Sequence, residues 1–503
     1  MATFNEFISS IRQDFSNQRS GKIFEIFCKW FLENDPEWSK KVEKVWLWDE
    51  YPNRWQNQDL GTDLVFNDRD GKTWAVQAKC YAEHKTTTKN DMNSFLADTG
   101  REEVDRRLWL QTTNKMSPEA LKTCKGQEKP VTIFNLKNFQ DSSIIYPGSF
   151  SELQYCKIKD RPEPDLHQTE AIKNAVTGFS KYDRGQLIMA CGTGKTLTTL
   201  WVKEGLKADL TLVLLPSLSL LSQTMREWAW AANTDFEILN VCSDKSVGAI
   251  EDLQVWDAPF PVTADANEIK DFIKKPGSKV VFCTYQSSDL ITMTQEDPTV
   301  PDFNLAIADE AHRCAGRNNK IFSQILHEDK IRAQKRLFST ATPRYFGKRE
   351  KDTAESRELT LVSMDDEKVF GPVLHRLTFG EAIERDLLTD YQVVIIGVDK
   401  PMVKNWIFNS ELLSTAADQV TDAKTLAAQV GLIKAIKDYD LRKVITFHNR
   451  VNAAKQFSVD LIDTLNFIKE DGKPNGKLFC DYISGKLTTA VRKKKIDWLK
   501  SLD

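Results

Sequence analysis

The strongest chemical signal lies at residues 186–201, QLIMACGTGKTLTTLW. An apolar run that reads as a strand enters Gly192-Thr193-Gly194-Lys195-Thr196, and a helical pattern follows. Glycines let a backbone wrap phosphate groups, so that N–H groups and the helix N-terminus face the anion. In that geometry Lys195 reaches the β- and γ-phosphates of ATP and the Thr196 hydroxyl ligates Mg²⁺. The full pattern GxxxxGK[ST] asks for a small residue at position 189, where this chain has Met189. Downstream, Leu305-Ala306-Ile307-Ala308 reads as a buried strand ending in Asp309-Glu310-Ala311-His312. Asp309 is expected to hold the Mg²⁺ with Thr196, and Glu310 to orient or deprotonate the attacking water. His312 is expected to link this site to a neighbouring lobe.

A second constellation lies nearer the N-terminus. Asp59-Leu60-Gly61-Thr62-Asp63 precedes a strand, Leu64-Val65-Phe66, then a charged turn, NDRDGK, then a second strand, Trp74-Ala75-Val76-Gln77-Ala78-Lys79. The two strands predict a hairpin that brings Asp63 to Gln77 and Lys79, which share one strand face because they are two apart. Such a cluster binds Mg²⁺ through Asp63, the Gln77 amide oxygen and the Ala78 carbonyl. Lys79 then helps activate water or steadies the charge of a phosphorane. Taken alone, these residues read better as an ordinary hairpin with solvated charges.

These sites need scaffolds. The chain has 503 residues, which at roughly 150 residues per domain suggests about three domains. With 41% hydrophobic and 28% charged residues it is globular rather than disordered. Lys and Arg number 69 and Asp and Glu 72, a net charge of −3, so any DNA binding must come from local patches. No apolar run is long enough to cross a membrane, and the first fifteen residues, carrying Glu6 and Asp14, have no signal-peptide core. Nine cysteines without a CxxC pair fit reduced, packed thiols in a cytoplasm, not a zinc or disulfide framework. Seven of the 13 tryptophans (30, 38, 46, 48, 55, 74 and 109) fall early, which predicts a self-contained N-terminal domain with an aromatic core. Pro162 and Pro164 mark a linker. Beyond it, the runs LIMA, LTLVLLP, VVFCTY, LAIADE and KRLFSTATP alternate with helical patterns, as buried parallel strands do in an α/β sheet. A second series, YQVVIIGV and KVITFHN, follows residue 376. The expected division is 1–155, a linker at 156–166, a first lobe at 167–375 and a second lobe at 376–503.

Lys195-Thr196, the DEAH box and Ser339-Thr340-Ala341-Thr342-Pro343-Arg344 together resemble the superfamily-two helicase and DNA translocase motor, over about residues 160–503. The resemblance implies two RecA-like lobes, with ATP between them and double-stranded DNA tracked by its phosphates. It makes Gln168, in Leu166-His167-Gln168, the adenine contact. It makes Leu215-Pro216-Ser217, with Leu220, Leu221 and Gln223, and also Thr284-Tyr285-Gln286-Ser287, segments that touch the strand backbone. Val444 to Arg450 is similar to the fourth motif, in the second lobe.

The N-terminal region resembles the Mrr-like group of PD-(D/E)xK nucleases, where Gln replaces Glu in D…QxK. That resemblance adds Glu25, in Gly21-Lys22-Ile23-Phe24-Glu25, as an early helical acid. Leu110 to Thr113, a helix around Ser117 to Leu121, and Val131 to Phe134 follow in the same order. A Mrr-like nuclease ahead of a DEAH motor, with connector segments MDDEKVFGP (364–372) and FGEAIERDLLTDY (379–391), is similar to the single-polypeptide type I (type ISP) restriction-modification enzymes. That family continues with a coupler, an adenine methyltransferase and a target-recognition domain. Its EGVD and QxxGRxxR motifs are not found here, and Tyr482-Ile483-Ser484-Gly485 with Arg492 looks like the segment ahead of the first of them. The expectation is a second lobe cut short, in a fragment or truncated product that hydrolyses ATP poorly.

The combined reading is an ATP-dependent translocase fused to a Mg²⁺-dependent endonuclease in DNA restriction. Its rivals are a DEAH-box protein of repair or remodelling with a non-catalytic DNA-binding domain, an inactive remnant, and the motor subunit of a multi-subunit enzyme.

Overall fold

The computed structural model describes residues 2–55, 61–129, 131–243, 260–317, 322–347, 361–396, 423–468, 472–484, 487 and 489–501. They form two compact units, Met1–Thr389 and Asp390–Asp503.

The first unit opens with helices α1 (Phe4–Asp14) and α2 (Asn17–Asn34). Thr3 caps α1: its hydroxyl accepts from the Glu6 N–H at 3.2 Å, and the Glu6 carboxylate accepts from the Thr3 N–H at 2.7 Å. A five-stranded sheet follows in the order β1 (Val42–Leu47), β2 (Leu64–Asp68), β3 (Thr73–Lys79), β4 (Arg106–Gln111) and β5 (Val131–Phe134). The first three strands are antiparallel and the last three parallel. The expected hairpin is β2–β3, with Leu64 opposite Val76; Asp59 and Leu60 lie outside the described residues. Side chains alternate across the sheet. Leu64, Phe66, Trp74 and Val76 pack on Phe24, Phe27 and Phe31 of α2, while Ala75 and Trp109 pack on Met92 and Phe95 of α3 (Lys89–Asp98). Trp38, Trp48, Trp74 and Trp109 are fully buried, so the early tryptophans do build an aromatic core.

The same unit holds a seven-stranded parallel sheet. In chain order its elements are α4 (Leu166–Gly178), β6 (Arg184–Met189), α5 (Lys195–Gly205), β7 (Leu210–Leu215), α6 (Leu218–Ala231), β8 (Glu237–Val241), α7 (Ala266–Lys274), β9 (Lys279–Thr284), α8 (Ser288–Gln295), β10 (Phe303–Asp309), β11 (Ala333–Thr340) and β12 (Val373–Leu377). The strand order is β8-β9-β7-β10-β11-β6-β12. Every neighbouring pair is parallel. Both faces are covered, so the central strands carry long apolar runs. Val213, Leu215 and Phe282 meet α4, α5 and α6 on one side, and Leu212, Leu214 and Val281 meet α7 and α8 on the other.

Strand β12 lies across the expected lobe boundary. It spans 375/376 and pairs with β6, with Met189 opposite Leu377, so the change of unit falls at 389/390. The chain returns to β6 through Gly371, whose φ is +73° and where a Cβ would lie 2.2 Å from the Arg184 carbonyl oxygen. A short helix, α9 (Phe379–Glu384), capped by Thr378, then packs Ala382 into the core. The expected linker is partly built: Lys157–Ile158 pairs antiparallel with Ile144–Ile145, and residues 159–165 carry no helix or strand.

The second unit contains α10 (Ala423–Asp438), α11 (Val451–Phe467) and α12 (Thr489–Ser501). Ile433, Phe457 and Leu461 form its core. The strands expected at 391–398 and 443–449 carry no ladder among the described residues; 397 and 398 lie outside them. A strand needs neighbours for its N–H and C=O groups and cover for its side chains. Here Ile395 is 92% exposed and Phe447 94%. Among the described residues the parallel ladder lies in the first unit.

The two sheets of the first unit meet through charge. Asp235 takes Lys40 at 2.8 Å and Arg69 at 3.3 Å, and Glu268 on α7 takes Arg106 at 2.5 Å and Lys72 at 3.3 Å. In the reverse sense Arg226 on α6 lies 3.7 Å from Glu37 and 3.6 Å from Asp141, and Lys275 pairs with Asp70. The Trp230 indole N–H donates to the Lys159 carbonyl at 3.0 Å, fastening the end of the connector. Strand β8 is an edge of the seven-stranded sheet. Its Ile238, Leu239 and Asn240 line a cavity together with Trp38, Lys40 and Lys41 of the N-terminal domain.

Of the two carboxylates that the larger sheet's side contributes, Glu268 is more enclosed than Asp235. Burial raises its pKa, and Arg106, Thr263 and Lys72 outweigh burial, so it titrates below its ordinary value of 4.5. Its stabilisation is therefore complete above pH 4.5 and is lost as pH falls through the folded value. Glu268→Ala should leave Arg106 and Lys72 unpaired and cost about 1–3 kcal/mol. Urea unfolding at pH 7 checks this; an unchanged midpoint would show that the clasp contributes nothing.

Candidate nucleotide and nuclease sites

Strands β10, β11 and β6 are consecutive in the sheet. Being parallel, they end on one edge, where open α/β sheets place their ligands. The loop after β6 carries Gly192 and Gly194, the loop after β10 carries Glu310, and the loop after β11 carries Ala341 to Arg344. Gly192 (φ +87°) and Gly194 (φ +78°) turn the chain, and Gly194 is the N-cap of α5. Thr193 is buried, and its hydroxyl donates to the Ala190 carbonyl at 2.8 Å. Lys195 and Thr196 open the helix.

Lys195, Asp309 and Glu310 are brought together. Burial pushes the Asp309 carboxyl up to about 6, Glu310 adds to the rise, and the Lys195 charge opposes it. Glu310 moves the other way: a hydrogen bond from His312, then the charges of Lys195 and His312, overcome burial and hold it below its ordinary value. Two adjacent carboxylates facing one ammonium suit a dication bound beside Asp309. Glu310 sits at φ 49° and ψ 46°, a left-handed backbone that costs a non-glycine residue roughly 1–3 kcal/mol.

His312 Nδ1 lies 3.3 Å from Glu310, 3.0 Å from the Thr340 hydroxyl and 3.4 Å from that of Thr342. The expected link thus runs to the segment after β11, within the same unit. Gln168, the expected adenine contact, lies against the phosphate loop. Its side-chain N–H donates to the Gly194 carbonyl at 3.2 Å, and its oxygen accepts from the Asp165 N–H at 2.9 Å. It braces the phosphate loop together with His167, whose Nε2 lies 3.0 Å from the Thr193 carbonyl oxygen. Met189, the departure from the glycine pattern, is fully buried at the end of β6, which makes it a core residue rather than part of the loop.

In the N-terminal domain, Asp63 enters β2 directly opposite the end of β3. One carboxylate oxygen accepts from the Ala78 N–H at 2.7 Å and from the Gln77 side-chain N–H. The Asp63 backbone is fixed as well: its N–H donates to Val76 and its carbonyl accepts from Trp48, both at 2.9 Å. Lys79 ends β3, half-buried, and its carbonyl accepts from the Thr112 N–H at 3.1 Å.

Glu25 comes into the site from α2. It pairs with Lys22 at 2.8 Å, and Lys22 lies 3.9 Å from Asp49. Burial lowers the Lys22 pKa, but Glu25, Asp49 and Asp63 outweigh burial and hold the ammonium above its ordinary range. Lys22 and Asp49 were not expected here, because nothing in their local spacing ties them to Asp63. Among the described residues no three His, Cys, Asp or Glu side chains gather to hold a metal. A Mg²⁺ ion at Asp63 would therefore draw on one carboxylate and on neutral oxygens. The donor set fits if the Gln77 amide presents its oxygen, an end-for-end rotation that leaves the side chain in place.

Residues 33–153 match the restriction endonuclease family Mrr_cat_2, and residues 161–345 match the family of the type III restriction enzyme res subunit, ResIII. A probable helicase of African swine fever virus is 28% identical over 309 residues, covering 61% of this chain and 31% of its own. The structure of the ATP-dependent type ISP restriction-modification enzyme LlaBIII bound to DNA superposes with a TM-score of 0.78 at 26% identity. It covers 98% of this chain and 33% of its own. This chain spans about a third of the length of these relatives. It carries a restriction-endonuclease domain followed by a helicase domain of the res-subunit kind.

Met189→Ala should cost about 2–5 kcal/mol by opening a core cavity, while the folded protein keeps its nucleotide affinity. Chemical unfolding and a fluorescent-nucleotide titration test the pair. Lost affinity in a fully folded variant would instead place Met189 in the phosphate loop.

Proposed function

We propose that this chain, a restriction-endonuclease domain joined to a helicase domain, acts in DNA restriction as an ATP-driven motor on duplex DNA with an attached endonuclease. The observation that carries the reading is that Lys195, Asp309 and Glu310 converge in the same compact unit as the Asp63–Gln77–Lys79 edge. On this reading Lys195 and the N–H groups of the 192–196 loop hold the ATP phosphates. Glu310, kept ionised by His312 and Lys195, receives the proton of the attacking water as the γ-phosphoryl group leaves ADP. His312 reports the state of Glu310 to Thr340 and Thr342. Asp309 and Thr196 would hold Mg²⁺, which when bound neutralises charge on the phosphates.

In the nuclease domain Asp63 and Gln77 would hold Mg²⁺, and Lys79 would steady the phosphate being cleaved. Lys22 keeps Glu25 and Asp49 close to that edge. The DNA partner would be met through its phosphates, consistent with a net charge near zero and local cationic surfaces. No helix among the described residues is long and apolar enough to cross a membrane. All nine cysteines are free thiols, which fits a reducing cytoplasm.

A second reading has one observation in its favour: the metal edge offers an amide, Gln77, where a carboxylate would bind Mg²⁺ more tightly. It makes the N-terminal domain a non-catalytic DNA-binding module. Plasmid nicking in Mg²⁺ separates the two. The first reading expects nicking that falls at least about a hundredfold in Asp63→Ala and in Lys79→Ala, and nucleotide binding lost in Lys195→Ala. Plasmid binding with no nicking in Mg²⁺ or Mn²⁺ would select the second.

A further inference from the structure

The turn after β9, Thr284-Tyr285-Gln286-Ser287, holds a contact that neither site accounts for. Tyr285 is fully buried. Its ring packs on Phe322, with centroids 5.2 Å apart. Its hydroxyl donates to the backbone carbonyl of Asp309 at 2.7 Å. That carbonyl belongs to the peptide joining Asp309 to Glu310, immediately ahead of the left-handed Glu310 backbone.

Topology makes this contact unusual. Strands β9 and β10 are not neighbours, because β7 lies between them. With strands about 4.8 Å apart, the two are separated by roughly 10 Å, so the bridge needs a long side chain ending in a donor. Phenylalanine has the reach and lacks the donor. Serine has the donor and lacks the reach. The residue beside Tyr285 extends the connection: the Gln286 side-chain N–H donates to the Pro216 carbonyl at 3.5 Å, joining this turn to Leu215-Pro216-Ser217. One turn therefore touches the end of β7 and the peptide that orients Glu310.

A left-handed non-glycine backbone persists only where its surroundings hold it. Two contacts hold Glu310 from its C-terminal side. The Arg313 N–H donates to the Glu310 carbonyl at 3.0 Å, and His312 lies 3.3 Å from its carboxylate. Tyr285 holds the peptide on the N-terminal side, from the two turns that the motor reading places against DNA phosphates. We propose that Tyr285 is a positioning residue that couples DNA held at residues 215–217 and 284–287 to the orientation of Glu310 at the nucleotide. A shift of the 284–287 turn moves the hydroxyl, and with it the Asp309–Glu310 peptide. By linkage the effect is reciprocal: nucleotide at Glu310 must bias the DNA-facing turn by the same free energy.

This inference rests on the motor reading, and the test separates the two. The full chain is titrated with a fluorescent, non-hydrolysable ATP analogue in Mg²⁺, with and without a saturating 30-base-pair duplex. Wild type should show an affinity change of about fivefold or more on adding duplex. With duplex again raised to saturation, Tyr285→Phe should reduce that change to under about twofold, because the bridge from the 284–287 turn to the Asp309 carbonyl is removed. A Tyr285→Phe protein with the full wild-type change overturns the inference and leaves the motor reading intact. A wild type that binds no analogue, or binds it indifferently to duplex, overturns both. If Tyr285→Phe does not fold, hydrogen exchange on wild type decides. Bound duplex should alter exchange at residues 310–314, and bound analogue at 285–288. Duplex binding that leaves 310–314 unchanged overturns the inference.

Discussion

Two carboxylates share one cation at the edge of a buried sheet, and much of the molecule is arranged around that fact. Asp309 is desolvated beside Glu310; Lys195 opposes its rise, and a hydrogen bond from His312, then the Lys195 charge, hold Glu310 low. Lys195 can stand there because β6 and β10 flank β11 in the same parallel direction. The glycine loop, the DEAH turn and the threonines after β11 are thus the ends of three adjacent strands. His312 ties two of those loops together. Gln168 and His167 brace the third from helix α4.

The N-terminal domain uses a different economy of charge. Its central carboxylate, Asp63, accepts from a backbone N–H and a side-chain amide. Lys22 satisfies Glu25 from the side, close enough to feel Asp63. This edge has fewer formal negative charges than a three-carboxylate site, so its affinity for a divalent ion is set by oxygen dipoles as much as by charge. The motor edge concentrates charge and the nuclease edge spreads it.

The two domains are fastened by complementary charge at a surface that includes an edge strand of the larger sheet. Asp235 and Glu268 each receive two nuclease cations, and Arg226 answers with two nuclease acids. An exposed parallel edge is a liability for pairing with other chains. Placing Trp38 to Lys41 against β8 meets that liability and fixes the nuclease site relative to the nucleotide site.

The sequence by itself determined whatever depends on neighbours in the chain. The glycine loop with Lys195, the Asp309–Glu310 pair after an apolar run, and the β2–β3 hairpin that joins Asp63 to Gln77 are legible because a turn or a single strand end sets their geometry. The five apolar runs of the first lobe were legible because buried parallel strands are apolar on both faces. Strands β8 and β12 were not, since both are sheet edges and β12 carries His375 and Arg376 among its apolar residues. The runs at 391–396 and 443–449 pair with no strand among the described residues. Tertiary structure alone decided that Gln168 braces Gly194, that Lys22 joins Glu25, that two motor acids clasp four nuclease cations, and that Tyr285 reaches over β7 to the Asp309 carbonyl. Each of these joins residues far apart in the chain, and a long-range hydrogen bond or ion pair leaves no period or spacing in a single sequence.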